Sequence, residues 1–166
     1  MQILKTYNDY HQAIERYLRE YNYFKVAIEN LEKDLKDKQE EISTISAPIA
    51  KYGDDGGRCY SEETKIEQEA FRRMKIENDI SDIQYNLKEL KRLIDKIDKA
   101  VKELEKDQQE AIELIYMQRM TLYEASARMN YSTDWCRKIK NKAIRHIAQM
   151  VFGLKAHQGQ KYNFIS

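Results

Sequence analysis

Two long stretches of the chain carry apolar residues at alternating steps of four and three. The first lies in residues 3–45, where Lys38 is the one polar member of the repeat. Its other members are Ile3, Tyr7, Tyr10, Ile14, Tyr17, Tyr21, Phe24, Ile28, Leu31, Leu35, Ile42 and Ile45. The second comprises Ile76, Ile80, Ile83, Leu87, Leu90, Ile94, Ile97, Val101 and Leu104. A repeat of 3.5 residues places one apolar stripe along a helix, and that stripe requires a partner helix over its whole length.

The two repeats predict an all-α fold with two helices of about 40 residues, each about 60 Å long. A break at residues 46–61 separates them, and Ser61, followed by two glutamates, is typical of an N-cap for the second helix. The break contains the only proline and three of the five glycines: Pro48, Gly53, Gly56 and Gly57. We therefore expect residues 1–106 to form a long antiparallel coiled-coil hairpin. Two hairpins that pair into a four-helix dimer would satisfy the same pattern.

Tyrosines dominate the first half of the first repeat. Their hydroxyl groups favour a partly hydrated edge over a fully apolar core. This part of the helix is therefore predicted to lie at an interface or beside another domain.

Residues 107–153 change in character, because the helices become short and have capping signals. Three such signals open them: Asp107 with Glu110, Thr121 with Glu124, and Ser132. Asn130 and Tyr131 indicate a tight turn, and Gly153 ends the last helix. This layout is typical of a small helix-turn-helix domain, which residues 154–166 follow as a tail without clear periodicity.

The spacing of the small and apolar residues predicts which face of each short helix is buried. The expected core members are Ile112, Ile115, Leu122, Ala125, Met129, Cys136, Ile139, Ala143 and Ile147. Cys136 lies on the buried face and is predicted to be a core residue rather than a reactive thiol. Trp135 is predicted to pack against its own domain or the coiled coil, with base stacking or a polymerase contact as the alternative.

With that face buried, the third short helix presents a polar and basic surface. Its outward residues are Thr133, Asp134, Arg137, Lys138 and Asn141, flanked by Lys140, Lys142 and Arg145. Arginine can pair with guanine and asparagine with adenine in the major groove, while the lysines hold phosphates and make binding salt-dependent. The hydroxyl groups of Thr121 and Ser132 are further candidates for phosphate contacts. Asp134 can accept a hydrogen bond from cytosine, or it can act only on the helix dipole.

The charge distribution agrees with this DNA-binding hypothesis. Residues 107–166 hold nine Lys and Arg against five Asp and Glu, whereas residues 1–106 hold 20 against 23. A mildly basic module therefore follows a mildly acidic helical body.

Residues 121–147 resemble the helix-turn-helix of sigma-factor region 4, and residues 107–120 resemble the helix that precedes it. The whole chain is similar in layout to phage-encoded transcriptional regulators of Gram-positive bacteria, the ArpU and RinA-like group. Members combine a long helical part, a Gly-rich break and a C-terminal sigma-like DNA-binding domain. The sequence differs at Asn130, where the family commonly has glycine, but asparagine tolerates the left-handed conformation.

The resemblance implies a regulator of late phage or prophage genes that binds promoter double-stranded DNA. Its recognition helix would be residues 133–152, and RNA polymerase would be a further partner. The coiled coil would serve homodimerisation or partner docking. No segment resembles the part of a sigma factor that melts promoter DNA, so a complete promoter-opening factor is not expected.

Other classes of protein have less support in the sequence. There is no apolar run of about 18 residues and no signal-peptide pattern, so we expect a cytoplasmic protein of the bacterial host cell without a membrane partner. The chain has no zinc-type cluster, phosphate-binding glycine loop or nucleophile motif, so we expect no enzyme, no metal and no cofactor. Two alternatives remain: a DNA-packaging component like a small terminase subunit, and a helical scaffold protein whose coiled coil recruits a partner.

Overall fold

The computed structural model describes the backbone of residues 7–45 and 60–156, and the side chains of residues 9–45 and 67–156. Every regular element in these residues is helical, so the all-α prediction is confirmed there. The long helices are α1 (Tyr7–Thr44) and α2 (Tyr60–Lys102); the shorter ones are α3 (Lys106–Ile112), α4 (Leu122–Arg128) and α5 (Thr133–Phe152). A π-helical turn, Glu113–Met117, continues α3, and a 3₁₀ turn, Gly153–Ala156, follows α5.

Several sequence predictions fall on residues outside the described part of the chain. They concern Ile3, the glycines and Pro48 of the break, and the tail beyond residue 156. α2 begins at Tyr60, so Ser61 is its second residue rather than its N-cap. Helix ends commonly differ by one or two residues from a sequence-based boundary.

The chain divides into two compact units at positions that the sequence pattern does not mark. One unit consists of Met1–Lys25 and Arg92–Ser166, and the other is Val26–Lys91. The domain boundary predicted from the sequence lies at residue 106. Both long helices therefore contribute residues to both units.

In the unit Val26–Lys91, ion pairs join α1 to α2. Glu32 pairs with Lys91, Lys38 with Asp79 at 3.3 Å, and Glu41 with Arg72 at 2.9 Å. As the residue number rises along α1, the number of its partner falls along α2, so the two stretches are antiparallel.

Among the described residues of this unit, the predicted repeat positions are buried or half-buried. Ile76 and Leu87 are buried; the half-buried members are Ile28, Leu31, Leu35, Ile42, Ile80, Ile83 and Leu90. Lys38, the polar member, is also half-buried. Hydrogen bonds to Asp79 and Glu41 raise its pKa, so the ammonium group stays charged at this position.

In the unit formed by Met1–Lys25 and Arg92–Ser166, α1 contacts α2, α5 and the π-helical turn. The Tyr21 hydroxyl donates to Asp98 of α2, and the Tyr10 ring lies 5.0 Å from that of Phe152 on α5. Ala13 and Leu18 are buried although neither belongs to the predicted repeat. The buried face of α1 is wider here than a coiled-coil stripe, because several elements pack against it. The tyrosine-rich segment thus packs within this unit, and its placement at an interface or beside another domain stays a prediction.

The capping box predicted at Asp107 and Glu110 is wrong. α3 begins at Lys106, its N-cap is Glu105, and no side chain caps it. The Asp107 carboxylate instead accepts a hydrogen bond of 2.8 Å from the Tyr131 hydroxyl. Between α2 and α3, the side-chain amide of Gln109 donates to the carbonyl groups of residues 102 and 104, which satisfies acceptors that the end of α2 leaves free.

Candidate nucleic-acid interface

The candidate interface is built on a small core shared by α3, the π-helical turn, α4 and α5. Its buried members are Ala111, Leu114, Ala125, Met129, Cys136 and Ile139, with Ile115, Met120 and Leu122 packed against them. Cys136 is fully buried, as predicted, and its Sγ lies 4.0 Å from the Met129 sulfur. Burial raises the pKa of the Cys136 thiol, which therefore remains protonated near neutral pH.

Both α4 and α5 begin with the caps that the sequence predicts. Thr121 and Glu124 form a full capping box, in which the Thr121 hydroxyl accepts from the Glu124 N–H at 3.3 Å. The Ser132 hydroxyl accepts from the backbone N–H of Trp135 at 3.2 Å. These bonds fix where each helix starts and hence which residues of α5 face outward.

The turn between α4 and α5 depends on Asn130, whose φ of 57° lies in the left-handed region. The N–H of Tyr131 donates to the Ser126 carbonyl at 3.0 Å, and that of Asn130 donates to the Ala127 carbonyl at 3.3 Å. This pair of bonds is a Schellman motif, which satisfies the last carbonyls of α4 and reverses the chain within two residues.

Most of the predicted outward residues of α5 are exposed on one side of the helix. The exposed members are Asp134, Arg137, Lys138, Asn141, Lys142 and Arg145. At 100° per residue they cover an arc of about 140°. Four of the six are cations, so this side of α5 is basic.

Thr133 does not belong to the exposed face. It is half-buried, and its hydroxyl lies 3.3 Å from that of Ser126. This contact lies where α4 meets α5. The prediction that Thr133 points outward is wrong, because the close approach of the two helices covers its side chain.

Lys140 is also placed differently from the prediction. Its Nζ lies 3.2 Å from Glu15 Oε1 on α1, and only 21% of its side chain is exposed. It therefore does not flank the basic face as a free phosphate contact. No local sequence pattern indicates this pairing, since Glu15 is 125 positions away and was assigned to the coiled coil.

Two cations on the exposed face have partners. Arg137 pairs with Asp134 at 2.7 Å, and Lys142 pairs with Glu105 at 3.2 Å. Exposed ion pairs contribute only about 0–1 kcal/mol, so a phosphate or a base edge can replace these carboxylates at little cost. Within the described part of the chain, Lys138 and Arg145 form no ion pair.

The two capping residues differ in their capacity to bind a phosphate. The N–H and the hydroxyl of Thr121 both donate to the Glu124 carboxylate at 2.8 Å. These bonds lower the pKa of Glu124, so a carboxylate occupies the place that a phosphate would take. Thr121 is therefore a poor phosphate ligand, whereas Ser132 is exposed and its hydroxyl can still donate.

Trp135 packs partly against its own domain and is partly exposed to solvent. Its side chain lines a cavity of about 190 Å³ together with Ile139 and Gln108. However, 51% of the residue remains exposed. It thus packs against its own domain on one side only.

One cation near the exposed face was not predicted. Arg19 of α1 lines a cleft of about 370 Å³ with Arg137, Lys140 and Asn141 of α5. The sequence signal for the position of Arg19 is the tyrosine-rich repeat in which it lies. That repeat predicted an interface or a neighbouring domain, but it did not indicate α5.

Comparisons with protein-family models, curated proteins and solved structures found no match for this chain. Among the described residues, no helix is both long and apolar enough to cross a membrane. In the same residues, no three His, Cys, Asp or Glu side chains are grouped closely enough to hold a metal ion.

Proposed function

We propose that this chain is a sequence-specific DNA-binding transcriptional regulator. In this proposal α4, the turn at Asn130 and α5 form a helix-turn-helix, and the first half of α5 enters the major groove. The observation that supports it best is the exposed basic face of α5, which is held on a capped helix pair with a buried core of its own. A rigidly mounted helix with Arg and Asn near its N-terminus has the geometry that base readout requires.

The residues on this face divide into two roles. Arg137 and Asn141 are the candidates for contacts to base edges. Lys138, Lys142 and Arg145 are the candidates for phosphate contacts, with the Ser132 hydroxyl as a further donor. Asp134 forms an ion pair with Arg137 in the absence of DNA, and a base or a phosphate replaces its carboxylate on binding.

The long helices have a separate role in this proposal. α1 and α2 form an antiparallel coiled-coil hairpin that supports homodimerisation or docking to a partner such as RNA polymerase. The antiparallel ion pairs and the partly buried repeat positions support the hairpin. Together with the resemblance of residues 121–147 to sigma-factor region 4, this layout favours control of late phage or prophage promoters.

The proposal is tested by removing two cations from the exposed face. We expect Arg137→Ala/Lys138→Ala to lose selectivity for a DNA fragment that the wild-type chain selects from a genomic pool. A well-formed base contact discriminates by about 1–3 kcal/mol, so loss of the Arg137 contact alone should lower affinity for the selected fragment by about 5- to 160-fold. Fluorescence anisotropy with that fragment and with a random duplex measures the effect, and circular dichroism checks that helicity is unchanged.

Lys75→Ala/Lys88→Ala is the matched control, because it removes the same charge from exposed positions of α2. Its selectivity should equal that of the wild type. Unchanged selectivity in the α5 variant would exclude this placement of the recognition helix. A wild-type chain that binds both duplexes equally and weakly would favour the scaffold hypothesis, and a ring of eight or more subunits in mass photometry would favour DNA packaging.

A further inference from the structure

The side chain of Arg19 on α1 lines a cleft next to the exposed face of α5. Arg137 and Asn141 of α5 line this cleft together with Arg19 of α1. Leu122 and Ile115 supply an apolar part of its lining. The cations and the amide in this lining are suited to an oxyanion such as a phosphate.

Contacts on either side of Arg19 hold this part of α1 against the other helices. One turn before it, Glu15 accepts hydrogen bonds from the Tyr116 hydroxyl at 3.3 Å and from Lys140 at 3.2 Å. Three residues after it, the side-chain amide of Asn22 donates to the Met117 carbonyl at 3.0 Å. The position of Arg19 relative to α5 is thus fixed by the fold rather than by the side chain itself.

The charges around the cleft leave Arg19 available to an external anion. Glu15 is already engaged by Lys140 and Tyr116, and its second oxygen lies 3.9 Å from the Arg19 guanidinium, a long separation for an ion pair. The Arg19 side chain is 71% exposed. A guanidinium group presents several N–H donors in one plane and binds phosphate oxygens in pairs.

We propose that this cleft holds a backbone phosphate of the DNA that α5 reads, with Arg19 as the principal donor. The inference rests on the proposed function and extends the DNA interface from α5 to α1. Arg19 then acts as a positioning residue, because a phosphate contact fixes the orientation of the helix-turn-helix on the duplex without reading its sequence.

The test compares Arg19→Ala with the wild type on two duplexes, the fragment selected from a genomic pool and a random sequence. We expect affinity for both to fall by the same factor, several-fold at moderate salt. The slope of log affinity against log salt should decrease in magnitude by about 0.9, the value for one lost phosphate contact. Arg19→Lys, which keeps the charge, should retain most of the slope.

Arg92→Ala is the matched control, since Arg92 is exposed on α2 in the same unit and forms no ion pair with the described residues. Its affinity and salt slope should equal those of the wild type. An Arg19→Ala chain that also behaves like the wild type would overturn this inference alone. The same holds if affinity falls only for the selected fragment, or falls without a change in slope. A wild-type chain without affinity for either duplex would overturn the proposed function as well.

Discussion

Glu15 on α1 binds groups from two other elements of the fold. Its carboxylate accepts from Lys140 on α5 and from Tyr116 in the π-helical turn. Burial and the nearby Glu15 charge raise the pKa of Tyr116, so its phenol stays protonated and able to donate. These contacts are formed by residues about a hundred positions apart, which is why the sequence pattern predicted Lys140 as a free surface cation.

Replacing Glu15 should therefore destabilise the unit that contains the short helices. In Glu15→Gln, the half-buried Lys140 loses its countercharge. Because the pair is partly exposed, we expect a loss of about 1 kcal/mol in the free energy of unfolding. Urea unfolding followed by circular dichroism measures it. Glu29→Gln, at an exposed position of α1 outside any described ion pair, should leave the midpoint unchanged; equal midpoints for the two variants would show that Glu15 contributes nothing.

Among the individual elements, α4 follows its sequence signals closely and α3 does not. The capping box of α4 joins residues three apart, and Asn130 supplies the left-handed turn from its own side-chain type, so both are local. Asp107 has the same local signal, but a contact 24 positions away engages its carboxylate. The π-helical turn after α3 also forms contacts that the local sequence does not indicate: Leu114 packs in the shared core, while Tyr116 donates to Glu15 on α1.

The capping box of α4 should make stability depend on pH. Hydrogen bonds from Thr121 lower the pKa of Glu124 in the folded chain. A lowered carboxyl pKa stabilises the fold above the unfolded value, near 4.5, and this contribution is lost as the pH falls through the lower folded value. We expect Glu124→Gln to melt below the wild type at neutral pH and to match it in strong acid. Thermal melts from neutral to acid pH measure this difference.

Glu89→Gln is the control for that experiment, because Glu89 is exposed within α2 and its side chain forms no hydrogen bond with the described residues. Its melting temperature should follow the wild type at every pH. A Glu124→Gln variant that stays below the wild type even in acid would assign the effect to geometry rather than to charge.

At the scale of the whole chain, the two long repeats predicted the two long helices. They did not predict that each helix is divided between two compact units. An apolar stripe indicates that a helix face packs against another element, but it does not identify that element. The first part of α1 buries Ala13 and Leu18, and it belongs to the same compact unit as α5 and the π-helical turn. The basic face of α5 was predicted residue by residue, whereas Arg19, Thr133 and Lys140 depended on these contacts between distant parts of the chain.

The burial of each apolar residue of α2 determines how much a charged substitution there destabilises the chain. Leu87 is 6% exposed within the single chain, so its side chain belongs to the chain's own core. Leu87→Asp places an unpaired charge there, and we expect it to lower the free energy of unfolding by about 3 kcal/mol or more. Half-buried Ile83 should show a smaller loss when changed in the same way. Circular dichroism melts measure both, and sedimentation shows whether the oligomeric state changes.

Tyr85→Asp is the matched control, because Tyr85 lies two residues before Leu87 and is 66% exposed. Its helicity and melting temperature should stay near those of the wild type. A Leu87→Asp chain that kept its helicity and only dissociated from a dimer would contradict the assignment of Leu87 to the internal core. If it unfolds instead, self-association through α2 must use side chains that the single chain leaves exposed, of which Phe71, Met74 and Tyr85 are the largest apolar ones described on that helix.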